Sequence, residues 1–175
     1  MRRSLICAGV VLLTVVLVGV LAPGKTVAAG PPYVAADTAI EAGRYLTVLG
    51  GCNDCHTPQW MPTKGTVEEA KWLTGRPVGT RGPWGTSYAR NLRLAAAALT
   101  EDQWVAMYRN PDPSLAHPPM PWENVRDMNE KDIRAMYQFI TSLGPAGDPA
   151  PDFVPPDQEP KAAYRTSTAV PAKGQ

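Results

Sequence analysis

Five consecutive residues, Cys52-Asn53-Asp54-Cys55-His56, constrain what this chain can fold around. Two thiols stand two residues apart and an imidazole follows at once. Outside the first 29 residues these are the only cysteines among 175 residues. A C-x-x-C pair alone has several uses. A thioredoxin-like dithiol needs a βαβ context, which a Gly- and Pro-rich chain with helical periodicity does not offer. A zinc site needs further ligands, and His117 is the one spare His or Cys beyond the leader. With its terminal His, the pentad is the attachment pattern of c-type haem. Each thiol can form a thioether to one porphyrin edge, and the imidazole then lies under the iron. The pattern occurs once, so the expectation is one covalent haem c, held by Cys52, Cys55 and His56.

The N-terminus agrees with such an outcome. Met1-Arg2-Arg3 forms a positive start, Leu5 to Ala22 carries no charge, and Val27-Ala28-Ala29 has the small-x-small form of a cleavage site. Residues 1–29 therefore read as a secretory signal cut after Ala29, with export to the periplasm. The rival is an uncleaved anchor, because 18 apolar residues reach the lower limit for a bilayer span. A membrane partner is expected only in that second case. Without Arg2, Arg3 and Lys25, the 17 basic residues fall to 14 against 16 acidic ones, a net of −2. No basic block stands out, so nucleic acid is not an expected partner.

Helical signals begin at Thr38, with Glu41 three residues on as a capping box, and predict a first helix over 38–50 that runs into the pentad. Gly43 within it costs up to about 1 kcal/mol relative to alanine. Either close packing against another helix or a tolerated surface position accounts for it. Residues 57–91 show turn formers and scattered aromatics but little periodicity, and read as loops wrapped on an apolar group, with one or two helical turns between Glu68 and Leu73. Thr100 and Gln103 form a second capping box, opening a helix to about Tyr108 that the alanines at 95–98 extend backwards. A last helix starts near Asn129, carries Ile133, Met136, Tyr137, Ile140 and Leu143 on one side, and stops at Gly144-Pro145. Residues 145–175 hold seven prolines and too few apolar residues for a core of their own, with Phe153 and Tyr164 as two possible anchors. The expected architecture is all-α: a single domain over 36–145, three to four helices around one haem with a loop-rich middle, and a Pro-rich extension over 146–175.

The iron's sixth ligand sets its chemistry. The candidates are His117 and the methionines Met61, Met107, Met120, Met128 and Met136. Met107 and Met136 sit on helical faces, where a core role is the ordinary one. Met61 follows His56 too closely, and Met128 lies beside a helix cap. Met120 stands between two prolines, 64 residues after His56, far enough to reach the opposite face of a haem. Pro119 and Pro121 stiffen its approach. A His56/Met120 pair raises the reduction potential relative to two histidines, which suits an electron carrier rather than an enzyme. Three functions compete: a carrier or electron-transfer subunit with redox protein partners; a haem enzyme or gas sensor with an open distal site near His117; and a dithiol oxidoreductase.

The order of helix, C-x-x-C-H, loops, Met loop and final helix resembles a class I cytochrome c. More narrowly, it is similar to the cytochrome c subunits and domains of bacterial alcohol and sugar-acid dehydrogenases. The resemblance is carried by Gly43-Arg44-Tyr45-Leu46, by Gly75-Arg76-Pro77, by Pro83-Trp84-Gly85-Thr86-Ser87-Tyr88-Ala89-Arg90-Asn91-Leu92, by Pro119-Met120-Pro121-Trp122 and by residues 133–143. It implies that Met120 is the distal ligand and that the first and last helices cross beside the haem, with Gly43 and Tyr137 at that crossing. It further implies that Pro83 supplies the carbonyl accepting from His56, and that Tyr88, Arg90 and Asn91 lie near the haem propionates. Those subunits commonly carry three haems, whereas this chain has one pentad.

Overall fold

Thr38 caps the first helix as its spacing predicts: its hydroxyl accepts from the Glu41 amide at 3.1 Å, and the Glu41 carboxylate accepts from the Thr38 amide at 3.2 Å. The computed structural model describes Val34 and residues 36–167, so the readings of residues 1–29 as signal or anchor fall outside the described residues. Helix α1 spans Ala39–Leu49 and buries Ala42, Gly43, Leu46 and Thr47. Helix α2, Cys52–His56, is the pentad itself. A 3₁₀ turn at Glu69–Lys71 precedes strands β1, Gly79–Gly82, and β2, Gly85–Ser87. Helices α3, Leu92–Ala97, α4, Glu101–Arg109, α5, Trp122–Arg126, and α6, Glu130–Ser142, follow, and strand β3, Tyr164–Thr166, ends the described chain. Among the described residues no helix is long and apolar enough to cross a membrane.

The all-α expectation is wrong. Among the described residues, six helices are joined by a three-stranded mixed sheet in the order β2-β1-β3. β1 pairs antiparallel with β2 across the two-residue turn Pro83-Trp84, and parallel with β3 from Gly79↔Tyr164 to Arg81↔Thr166. Gly-Thr-Arg-Gly and Gly-Thr-Ser lack the alternating apolar pattern that marks a strand. β3 pairs across more than eighty residues of intervening chain, where local pattern carries no information.

Residues 146–167, the described part of the extension, are correspondingly part of the body. Asn91 donates from Nδ2 to the carbonyls of Ala146 at 2.7 Å and Asp148 at 3.2 Å. Tyr88 donates to the Ala162 carbonyl at 3.1 Å. Arg81 reaches the carbonyls of Gln158 at 3.0 Å and Pro156 at 3.2 Å, and lies over the Tyr164 ring. A segment too polar for its own core is thus held by hydrogen bonds to a core that already exists.

Two further helices depart from expectation. The alanine run does not prolong α4. Asn91 caps α3, accepting from the Leu94 amide at 3.0 Å, and Thr100 caps α4 separately. Two caps nine residues apart make two helices. The short α5 directly follows Pro121, where the sequence predicts no helix.

The core gathers Leu73, Trp104, Ile133, Phe139 and Ile140, all essentially inaccessible, and a smaller cluster of Ala42, Leu46, Ala135 and Met136 seals α1 against α6. Gly43 lies in that seam. A Cβ there would stand 2.0 Å from the Ala135 carbonyl oxygen and 2.8 Å from Phe139 Cβ, so the close-packing account of this glycine holds. Tyr137 is not at the seam. It points toward α4, with its hydroxyl donating to the Leu99 carbonyl at 2.8 Å and its ring beside Trp104.

Arg93 secures the far end of α6. It is 6% exposed, and its guanidinium donates to the carbonyls of Leu143, Gly144 and Ala70. A cation at a helix C-terminus also complements the macrodipole. Arg93→Ala strands three carbonyls and is expected to cost about 3 kcal/mol. That corresponds to a fall in Tm on the order of 10 °C. Arg93→Lys is expected to recover less than half, since one ammonium cannot serve three directions. Thermal unfolding of both variants checks this, and an Arg93→Ala protein melting with wild type would refute it.

Candidate functional site

The pentad reaches its place through Gly50 and Gly51. Gly51 has φ +67°, a left-handed turn that lets α2 start directly where α1 stops. Within α2, Cys52, Cys55 and His56 occupy positions i, i+3 and i+4, which one helical turn places on the same side. Cys55 is exposed, Cys52 is half-buried against the core, and both thiols are free. Burial pushes the Cys52 thiol up to about 11.

The rear of the turn is locked. Asn53 and Thr57, each 1% exposed, are joined by a hydrogen bond of 2.6 Å, and the Thr57 hydroxyl accepts from the Leu73 amide at 2.8 Å. Gly75 donates to the His56 carbonyl at 2.7 Å, and Arg76 donates to the Ala89 carbonyl at 3.0 Å. Segment 73–76 is therefore sandwiched between the pentad and residues 89–91. Gly75 has φ +82°, and a Cβ there would lie 2.8 Å from the Asn91 amide nitrogen, so only glycine admits this approach.

That sandwich decides which carbonyl meets the imidazole. His56 Nδ1 donates to the carbonyl of Arg90 at 2.7 Å, not to that of Pro83. Pro83 is exposed at the tip of the β1–β2 hairpin. Burial lowers the pKa of His56 and keeps its ring neutral, although the Arg90 carbonyl opposes this. Nε2 has no hydrogen-bond partner among the described residues. A buried neutral imidazole with one nitrogen oriented by a carbonyl and the other free is how a ligating histidine is prepared.

The other site residues named from sequence fall into different settings. Met120 is half-buried and packs on the same core cluster as Cys52, a cluster that includes Tyr108 and carries Trp122 on its edge (Tyr108–Trp122 ring centroids 5.8 Å apart). The Trp122 amide donates to the Met120 carbonyl at 3.0 Å. The Tyr88 hydroxyl and the Asn91 Nδ2 donate to the C-terminal segment, Asn91 Oδ1 caps α3, and Arg90 is exposed. His117 donates from Nε2 to the Ser114 carbonyl at 2.8 Å, and its ring stacks on Phe153. Met61 is exposed, Met136 lies in the α1–α6 seam, and Met107 and Met128 pack on the core. Sequence reasoning missed the Arg90 carbonyl and the Phe153 contact. Gly75 and Asn91, both quoted from the sequence, were the available pointers to the first.

These residues fit a covalent haem. Two unbridged thiols share one side of a turn, and a buried imidazole keeps one nitrogen free. The Asn53 side-chain amide nitrogen, within the pentad itself, is buried with no acceptor among the described residues, as are the indole N–H groups of Trp84, Trp104 and Trp122 elsewhere in the fold. Among the described residues, no group of three or more His, Cys, Asp and Glu is arranged to hold a bare metal ion. Compared with known proteins, the chain matches no family model, no curated protein and no solved structure.

Proposed function

We propose that this chain is an exported electron carrier or electron-transfer subunit with one covalent haem c, ligated by His56 and Met120. The observation that carries the reading is the pairing of His56 Nδ1 with the Arg90 carbonyl beside two free thiols on one helical turn. When bound, the haem supplies one-electron chemistry. Cys52 and Cys55 would tether it, His56 would ligate through Nε2, and Met120 would offer its thioether from the Pro-flanked loop. The raised Cys52 pKa speaks against dithiol catalysis, which needs a stabilised thiolate. The engagement of His117 with Ser114 and Phe153 speaks against its acting as a distal acid–base group. Redox proteins are the partners such a carrier needs, and export places it in the periplasm.

The test is the oxidised spectrum and reduction potential of wild type and Met120→Ala. Wild type is expected to show haem absorption with a weak long-wavelength iron–sulfur band. Met120→Ala is expected to lose that band and to fall in potential. Persistence of both would remove Met120 as ligand, and a wild type without haem absorption would remove the cofactor.

A further inference from the structure

We infer that the C-terminal segment positions the Met120 loop, and that Phe153 is the positioning residue. The inference rests on the reading of Met120 as sixth ligand and adds what holds that ligand in place.

The loop from Asn110 to Pro119 has little of its own to hold it. Its backbone bonds are local, from Leu115 and Ala116 to the Asp112 carbonyl, and Ser114 bonds to the Asp112 side chain. Pro113, Ser114, Leu115, Pro118 and Pro119 are exposed. Among the described residues it makes two polar or ring contacts with distant chain. Ser87 donates from its hydroxyl to the Pro118 carbonyl. The His117 ring lies on Phe153 with centroids 3.6 Å apart and planes 10° apart.

Both contacts lead to one support. Ser87 ends β2, and Phe153 is fixed to the same strand by its neighbour. The Thr86 amide donates to the Val154 carbonyl at 2.7 Å, and the Val154 amide returns a bond to Thr86 at 2.9 Å. Gly85 makes the fit possible: a Cβ there would stand 2.4 Å from the Val154 carbonyl oxygen and 2.8 Å from Phe153 Cζ. Thr86 is fully buried and accepts from Arg81, which also binds the carbonyls of Pro156 and Gln158. The C-terminal segment is thus seated on the hairpin directly after Phe153, and the His117 stack transfers that seating to the loop three residues before Met120. A loop anchored this way opens locally when the stack is lost, while the core stays folded.

The experiment uses the full-length, haem-loaded protein. In Phe153→Ala the haem and the far-ultraviolet melting curve should stay close to wild type. The iron–sulfur band should vanish at a temperature well below helix unfolding. Carbon monoxide should combine with the ferrous form about three- to tenfold faster, the change in open-loop population that losing one aromatic pair implies. His117→Ala removes the stack from the loop side and should behave alike, which keeps the test decisive should Phe153→Ala fail to fold. Phe153→Tyr should restore both readouts. The proposal is overturned if both alanine variants keep wild-type carbon monoxide rates, or if the band disappears only as the helices melt. Should Met120→Ala retain the band, the ligand reading itself falls. Should it lose the band while the stack variants are silent, only the positioning role falls.

Discussion

The double variant Cys52→Ala, Cys55→Ala is expected to yield a chain that releases all of its haem on denaturation, whereas the wild type keeps haem absorption with the polypeptide. The expectation follows from α2, where the two free thiols share one side of a single turn and can meet one porphyrin edge together. No other cysteine occurs among the described residues to replace them. Any haem bound to the variant would depend on His56 and Met120 alone, and axial ligation ends when the chain unfolds. Haem absorbance across a denaturing size-exclusion run gives the answer directly. Haem that still travels with the denatured variant would place the attachment elsewhere.

Gly43→Val is expected to be the most damaging change to the fold. The Cβ alone would stand 2.0 Å from the Ala135 carbonyl oxygen, and ordinary contact requires at least 3.4 Å. The obstacle is backbone, which cannot turn aside as a side chain can. Relief therefore requires α1 and α6 to separate by more than about an ångström, loosening the contacts of Ala42, Leu46, Ala135 and Met136. Overpacking in a well-packed core typically costs about 1–3 kcal/mol, and occasionally more. Gly43→Ala is expected at or above the upper end of that range. Gly43→Val adds two methyl groups to the same seam and should exhaust most of a stability of about 5–15 kcal/mol. Denaturant titration of the two variants checks the order. Since α1 delivers the pentad, haem incorporation should fall in parallel. An alanine variant as stable as wild type would show that the seam yields.

The helices most legible in the sequence were those whose signals are local. Thr38 with Glu41, Thr100 with Gln103, and Asn129 each satisfy amides within the next three residues, so their helices start where the spacing says. Asn91 is the same kind of signal and marks α3, while the alanine run beside it fits an extension of α4 equally well. The sheet was illegible for a different reason. β1 and β2 are short and Gly-rich, and β3, the second partner of β1, lies in a Pro-rich stretch whose composition argues for disorder. Contacts with distant chain make that stretch part of the fold: hydrogen bonds from Arg81, Tyr88 and Asn91, backbone pairing with β1 and Thr86, and the ring of His117.

The site divides along the same line. The types and spacing of Cys52, Cys55 and His56, and the prolines around Met120, are properties of the sequence alone, because residue order and helix geometry act over a few residues. Which carbonyl orients His56 is not. Arg90 does so with a backbone oxygen, a group every residue possesses, brought there by the close approach of Gly75 to Asn91. The stack of Phe153 on His117 likewise exists only once β2 has seated the C-terminal segment. Motif spacing and capping are local and can be read in the chain; orientation and support come from contacts between distant segments, and tertiary packing alone decides them.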